Sequence, residues 1–304
     1  MKFCFGRIVA TSVLAFSPTL TTNLVQAQQP QATTAASGQL TEPVYRLSKN
    51  QPAQPALPAP AAPHSLDPAI QLAHSSIGII GSNIHDYTAK LVKRERINDE
   101  LGEHEFMFAK IRHRKVQNGQ IVVPFSVYLA FLKPTSVKGR EVIFVENQNQ
   151  GHVVAHEGGM KRMLGTHSLE PTGWLAMQGQ RYPITDIGIE NLVTKLIERG
   201  ERDKRFGECQ VQFFQGAKVS ERACTVIEVK HPEKVGPYDF HIAHVFLDEQ
   251  YQIPVRYAAY SWPKVAGGDP ELLEEYTYQD IKFNVGLTDA DFDPKNSDYG
   301  FHKK

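Results

Sequence analysis

The sequence predicts a mostly-β fold of the α+β type: a large, highly curved antiparallel sheet with helices covering its concave face. Three observations predict it. Long β-patterned segments recur from Tyr87 to Phe283. Several carry apolar residues on both faces, whereas a sheet covered on one side alternates more cleanly, so something other than water should cover both faces. One amphipathic helix precedes the strands and another interrupts them.

The segment ahead of the strands divides in three. Lys2 and Arg7 form a charged start, Ile8 to Phe16 an apolar stretch, and Val25-Gln26-Ala27 a small-x-small site before Gln28. This is the pattern of a secretory signal cleaved after Ala27. The apolar stretch is too short for a transmembrane anchor, and Cys4 is misplaced for a lipid anchor. Residues 28–65 are rich in Gln, Pro, Ala and Thr and bury too little apolar surface to order themselves, so a disordered tether is expected. Residues 66–304 then suffice for one domain. Lys plus Arg and Asp plus Glu balance at 33 each, without a polybasic block, so nucleic acid is not an expected partner.

Within the domain, Leu66-Asp67-Pro68 opens a helix, with Asp67 as cap, Pro68 at the first helical position, and Ile70, Ala73 and Ile77 at helical spacing. Tyr87 to Arg94 and Glu105 to Arg112 read as a hairpin, followed by strands at Phe125 to Leu132 and Arg140 to Val145. The second helix spans Thr185 to Ile197, striped by Ile189, Leu192, Val193, Leu196 and Ile197, with Gly200 as its expected stop. Strands resume at Gln210 to Phe214, Thr225 to Val229, Phe240 to Leu247, Ile253 to Tyr260 and Leu273 to Phe283. A hairpin turn at Gly216-Ala217 sets Cys209 directly opposite Cys224. In an oxidising compartment that arrangement predicts a disulfide.

Catalytic motifs are sparse. His152 and His156 lie on one face of a strand, with Glu157, His167, His241 and His244 as further candidate ligands. Their order is not the zinc-protease one, and ordinary strand histidines explain them better than a metal-dependent hydrolase. Glu274 and Glu275 are adjacent on a strand and so face opposite sides. Asp289, Asp291 and Asp293 suit turn capping rather than a calcium loop. There is no Gly-x-Ser-x-Gly elbow and no phosphate-cradling glycine loop. No cofactor, metal or catalytic residue is therefore expected. Phe125, Tyr128, Phe131, Phe144, Trp174 and Tyr257 are candidates to line a cavity under the helices.

The Lys133-Pro134 junction between strands, the helix at Thr185 to Ile197, the hairpin near Gly216, Tyr251-Gln252-Ile253-Pro254-Val255-Arg256-Tyr257 and the terminal Gly286-Leu287-Thr288-Asp289-Ala290-Asp291-Phe292-Asp293-Pro294 resemble a bacterial secreted family of unknown function. That family is in turn distantly similar to the periplasmic lipoprotein-carrier (LolA-like) superfamily. The resemblance implies an incomplete β-barrel with a helical lid over an apolar cavity that takes lipid or the acyl chains of lipoproteins, without catalysis, as carrier or sensor. An envelope scaffold that binds a protein partner is the alternative. In the carriers an Arg before the Pro helps hold the lid. The matching residue here is Lys133, which lacks the bidentate guanidinium fork. Leu192 and Leu196 are the expected apolar underside of the lid, which runs from Trp174 to Ile197.

Overall fold

The computed structural model describes residues 45–46 and 64–301, so the predicted export signal lies outside the described residues. Helix α1 (Asp67–Asn83) precedes the sheet, and α2 (Ile189–Asp203) is inserted midway. The strands are β1 (Tyr45–Arg46), β2 (Asp86–Ile97), β3 (Glu100–Leu101), β4 (Glu105–Arg112), β5 (Lys115–Gln117), β6 (Gln120–Val123), β7 (Ser126–Lys133), β8 (Glu141–Val145), β9 (Val153–His156) and β10 (Thr166–Leu169). After α2 come β11 (Gln210–Val219), β12 (Arg222–Lys230), β13 (Ile242–Asp248), β14 (Pro254–Tyr260) and β15 (Leu272–Phe283).

One sheet runs β1-β11-β12-β13-β14-β15-β2-β4-β7-β8-β9-β10, antiparallel throughout and open at both ends, with β3 paired to β2. The hairpin β5–β6 stands apart. Tyr45–Arg46 falls inside the segment expected to be an unstructured tether, yet pairs with Val219 and Lys218 at the edge of β11. The last strand, β15, does not lie at an edge. It joins the two halves of the sheet by pairing with β14 on one side and β2 on the other.

Both faces are covered, as the two-sided apolar patterning requires. On the concave face, alternate residues Tyr87, Ala89 and Leu91 of β2, Met107, Ala109 and Ile111 of β4, and Val127, Leu129 and Phe131 of β7 pack with Ile80 of α1 and with Ile189 and Val193 of α2. Farther along, Ile227, Ala243, Val245 and Tyr257 pack with Ala69 and Leu72 of α1 and Leu192 and Leu196 of α2. The convex face over β7 and β8 is covered by the C-terminal segment, where Phe292, Tyr299 and Phe301 pack on Tyr128, Ile143 and Val145. The Tyr128 and Tyr299 rings stack 4.1 Å apart.

Helix boundaries differ from expectation in instructive ways. Leu66 is the N-cap of α1, and Asp67 sits inside the first turn, where its carboxylate meets Lys204 Nζ at 2.5 Å. Gly200 does not end α2. It is buried within it, where a Cβ would meet Ile70 Cγ1 and Cδ1 of α1 at 3.0 and 3.1 Å. The glycine is thus the point at which the two helices approach closely.

The expected disulfide is absent: Cys209 and Cys224 are both buried free thiols. The hairpin turns not at Gly216-Ala217 but at Ser220-Glu221, with Ser220 at φ 53°. Cys224 consequently pairs with Ala217. Cys209 lies at the far end of β11, where its carbonyl accepts from Ser65 Oγ at 2.7 Å. A bulge between Phe214 and Ala217 carries β11 past Gly216. Burial raises both thiol pKa values, that of Cys224 to about 12.

Two measurements test this description. Gly200→Val should lower stability by about 1–3 kcal/mol through overpacking against Ile70, read as a lower urea midpoint. Alkylation of the denatured, never-reduced protein should label both Cys209 and Cys224.

Candidate functional site: a lidded concave face

Residues 170–188 and α2 cross the concave face and enclose three chambers along it. The central one, about 120 Å³, has an apolar floor of Leu91, Met107, Leu129, Phe131 and Tyr278, under Ile187 and Leu192. A second, about 80 Å³, lies between α1, α2 and strands β12–β13, and includes Leu196. A third, about 270 Å³, lies over β7–β10 beneath residues 171–184. Leu129, Phe131 and Gln180 belong to both the first and the third, and Arg199 to both the first and the second.

What holds the lid down begins with strand periodicity. The inward series Tyr87, Ala89, Leu91 of β2 continues to Lys93 and Glu95, and β15 turns Glu274, Tyr276 and Tyr278 to the same side. The register sets Glu274 directly opposite Glu95, and both are buried. Two facing carboxylates repel and demand cations. Lys93 Nζ lies 3.2 Å from Glu95 and 3.2 Å from Glu105. The lid provides the rest. Arg181 donates through Nε to Glu274 at 2.7 Å and through its backbone N–H to Glu95 at 3.3 Å. The Tyr182 hydroxyl donates to Glu274 at 3.0 Å. Arg199 of α2 donates to the hydroxyls of Tyr182 at 2.7 Å and Tyr257 at 3.1 Å, and stands 3.7 Å from Glu274. Gln180 accepts from Lys93, and the Tyr276 hydroxyl donates to Glu95.

The electrostatics keep these roles fixed. Burial disfavours the Arg199 charge, but Tyr257, Tyr182 and Glu274 outweigh it and hold the guanidinium protonated. Burial, then Glu274 and Glu95, push the Tyr276 phenol well above its usual range. Burial and Glu274 also raise that of Tyr182. The phenols therefore stay neutral and serve as donors.

The start of α2 is pinned separately. Gly188, at φ 111°, offers no side-chain cap. Instead its N–H donates to the Tyr278 hydroxyl at 3.1 Å, and that of Ile189 to the Tyr87 hydroxyl at 2.9 Å. Two amides orphaned at the helix start are thus satisfied from the sheet floor.

The family model described as "protein of unknown function (DUF1571)" matches residues 84–301. The chain belongs to the DUF1571 family. No curated protein matches it in sequence. Among solved structures, a DUF1329 family protein from Desulfovibrio piger is 11% identical, with a TM-score of 0.37, covering 76% of this chain and 98% of that one. A LolA superfamily protein from Nitrosomonas europaea is 10% identical, with a TM-score of 0.30, covering 73% and 97%. The Pseudomonas aeruginosa MucA/MucB complex gives 14% identity and a TM-score of 0.40, covering 74% of this chain and 60% of that one.

Of the residues singled out from the sequence of this DUF1571 protein, Phe131, Leu192 and Tyr257 line the central chamber, and Leu196 the second. Phe125 and Phe144 pack against each other in the concave core, outside the chamber walls. Three lie elsewhere. Tyr128 is on the convex face, where its hydroxyl donates to Glu141 at 2.7 Å. Lys133 is exposed at the end of β7, its Nζ 5.6 Å from the Phe106 ring centroid. Trp174 points outward. The latch of Arg181, Arg199, Glu95 and Glu274 was missed, although charges falling on the inward parity of β2 and β15 signal it. Among the described residues no three His, Cys, Asp or Glu side chains converge as a metal site. His152 Nδ1 contacts the Asn149 carbonyl at 3.2 Å, whereas His156 is buried beside Phe301.

Replacing Glu274 by Ala strips two lid cations of their buried partner. Stability should fall by about 3–5 kcal/mol, and amide exchange over residues 178–203 should accelerate. Unaltered exchange there would remove Glu274 as the anchor.

Proposed function

We propose that this protein is exported to the cell envelope and there binds the acyl chains of lipids or of acylated lipoproteins, as a carrier or sensor, without performing chemistry on them. The observation that carries the reading is the pairing of an apolar concave floor with a lid held by side-chain ion pairs and hydrogen bonds. Hydrophobic sequestration needs no catalytic group, since each buried methylene contributes about 0.8 kcal/mol. The chamber sizes support a lid that moves. Small-ligand sites usually occupy about 300–1,000 Å³, and the central chamber alone is smaller, about 120 Å³. It shares the wall of Leu129, Phe131 and Gln180 with the chamber of about 270 Å³, so lifting residues 178–184 joins the two into a trough of ordinary ligand size. The polar latch suits this task, because its groups can exchange partners with water as the lid lifts, whereas an all-apolar seal has no such alternative.

Native mass spectrometry of the protein purified from its own envelope, followed by lipid extraction, tests the reading. A bound acyl-chain species is expected. Leu192→Asp, which puts a charge under the lid, should abolish binding of a long-chain fatty acid in a variant that still folds. A folded L192D protein that binds as well as the parent would sink the assignment, and a purified parent with no added mass would favour a protein-binding module.

A further inference from the structure

The apolar clusters of the sheet differ in what closes them. Helices α1 and α2 close the concave side, and the C-terminal segment closes the convex side of β7 and β8. The convex side of β11–β14 is different. Ala217, Val219, Cys224, Val226, Phe246 and Val255 form an apolar cluster there, each at most 1% exposed. Strand parity fixes the side, because the adjacent residues Phe213, Ile227 and Val245 pack inward with α1 and α2. Among the described residues, the cluster and the side chains packed against it, Phe214 and Ile281, all belong to the sheet itself. A convex face does not bury itself to that degree, since neighbouring strands flank a side chain and do not roof it. The burial is reached within a single chain, so the cover belongs to this chain and not to a partner.

We infer that residues 40–44, immediately ahead of β1, lie across this cluster as an arm and form its cover. β1 delivers them to the place. Tyr45 pairs with Val219 and Arg46 with Lys218, antiparallel, so the chain after Arg46 leads along the outer edge of β11 toward its start. That is where it re-enters the fold, with Ser65 Oγ donating to the Cys209 carbonyl at 2.7 Å. The chain before Tyr45 is left at the other end of β11, beside Val219, Ala217 and Cys224 of the cluster. The compact unit that contains the sheet begins at Leu40. Five extended residues reach about 17 Å, and crossing β11, β12 and β13 takes about 14 Å at the usual strand spacing. Leu40 and Val44 supply the arm's large apolar side chains. The carboxyl end is too short to serve. Only three residues follow Phe301, which packs over β7 and β8, and β7 stands four strand spacings, about 19 Å, from β14. Part of the segment expected as a tether is thus structural, and a partner that used this face would have to displace it.

Cys224 reports on the cover directly, because its thiol belongs to the cluster, whereas Cys209 packs with Leu66 and Ile70 at the far end of β11. In the purified protein under native conditions both should resist alkylation. L40D/V44D should let Cys224 react at least about tenfold faster while Cys209 stays protected, since only the arm has lifted. A photocrosslinking residue in place of Leu40, in otherwise unaltered protein, should give links within one chain to β12 or β13. It decides the matter whether or not the double variant stays folded. Links only between chains would give the face to a second copy. Links to the face from position 57 and none from position 40 would give it to residues 47–63. Either result overturns the inference, as does the absence of any link from position 40 to the face, or unchanged protection of Cys224 in a folded L40D/V44D.

Discussion

Two carboxylates that face each other across a strand pair organise the concave side of this protein. Glu95 and Glu274 are directly opposite, buried, and on the same face. Left to themselves they would repel in a setting that solvates charge poorly. Lys93 answers from the sheet, and Arg181 and Arg199 answer from two different parts of the lid. The position of the lid is thereby dictated by the sheet's unmet electrostatic demand, while the apolar contacts of Ile187 and Leu192 fill the space beneath. A buried ion network contributes less net stability than its contact distances suggest, because desolvation opposes it. Its merit here is geometric, since it allows one seating of the strap and disfavours others.

The fold was largely legible, because it rests on period-two patterning over long strands. The segments from Tyr87, Glu105 and Leu273 were found within a few residues, and so was the need to cover both faces. What escaped has identifiable physical reasons. The β11–β12 register was misread because Gly216 looks like a turn, but a bulge absorbs it and Ser220 takes the positive φ instead. One shift of the turn separated two cysteines that had been set opposite each other. The hairpin β5–β6 was passed over even though Asn118-Gly119, both at positive φ, is a favoured hairpin pair. Gly200 was read by its usual role as a helix stop, when its missing side chain serves a helix crossing.

The site was legible in part. Leu192 and Tyr257 line the central chamber, the one turned there by the apolar stripe of α2 and the other by the parity of β14. Tyr128 was assigned to the cavity because aromatic character alone does not distinguish faces; its neighbours Val127 and Leu129 are the inward pair. Following the same parity through β2 would have turned Lys93 and Glu95 inward and disclosed a charged cluster in an apolar setting. Arg181 lies in a segment with no regular periodicity, so only the three-dimensional fold brings it to Glu274.

The central placing of β15 bears on how such a chain can be made. The seam it forms with β2 joins residues as far apart in the chain as Tyr276 and Glu95, 181 positions, so the pairing is strongly non-local and slow to form. Until the final strand is delivered, β2 and β14 both present raw edges, and the floor of the concave face has no continuous wall. A chain emerging amino end first from the ribosome therefore spends nearly its whole synthesis unable to complete its core. Such a topology delays completion of the core until the carboxyl end is free and lengthens the interval in which apolar surface is exposed.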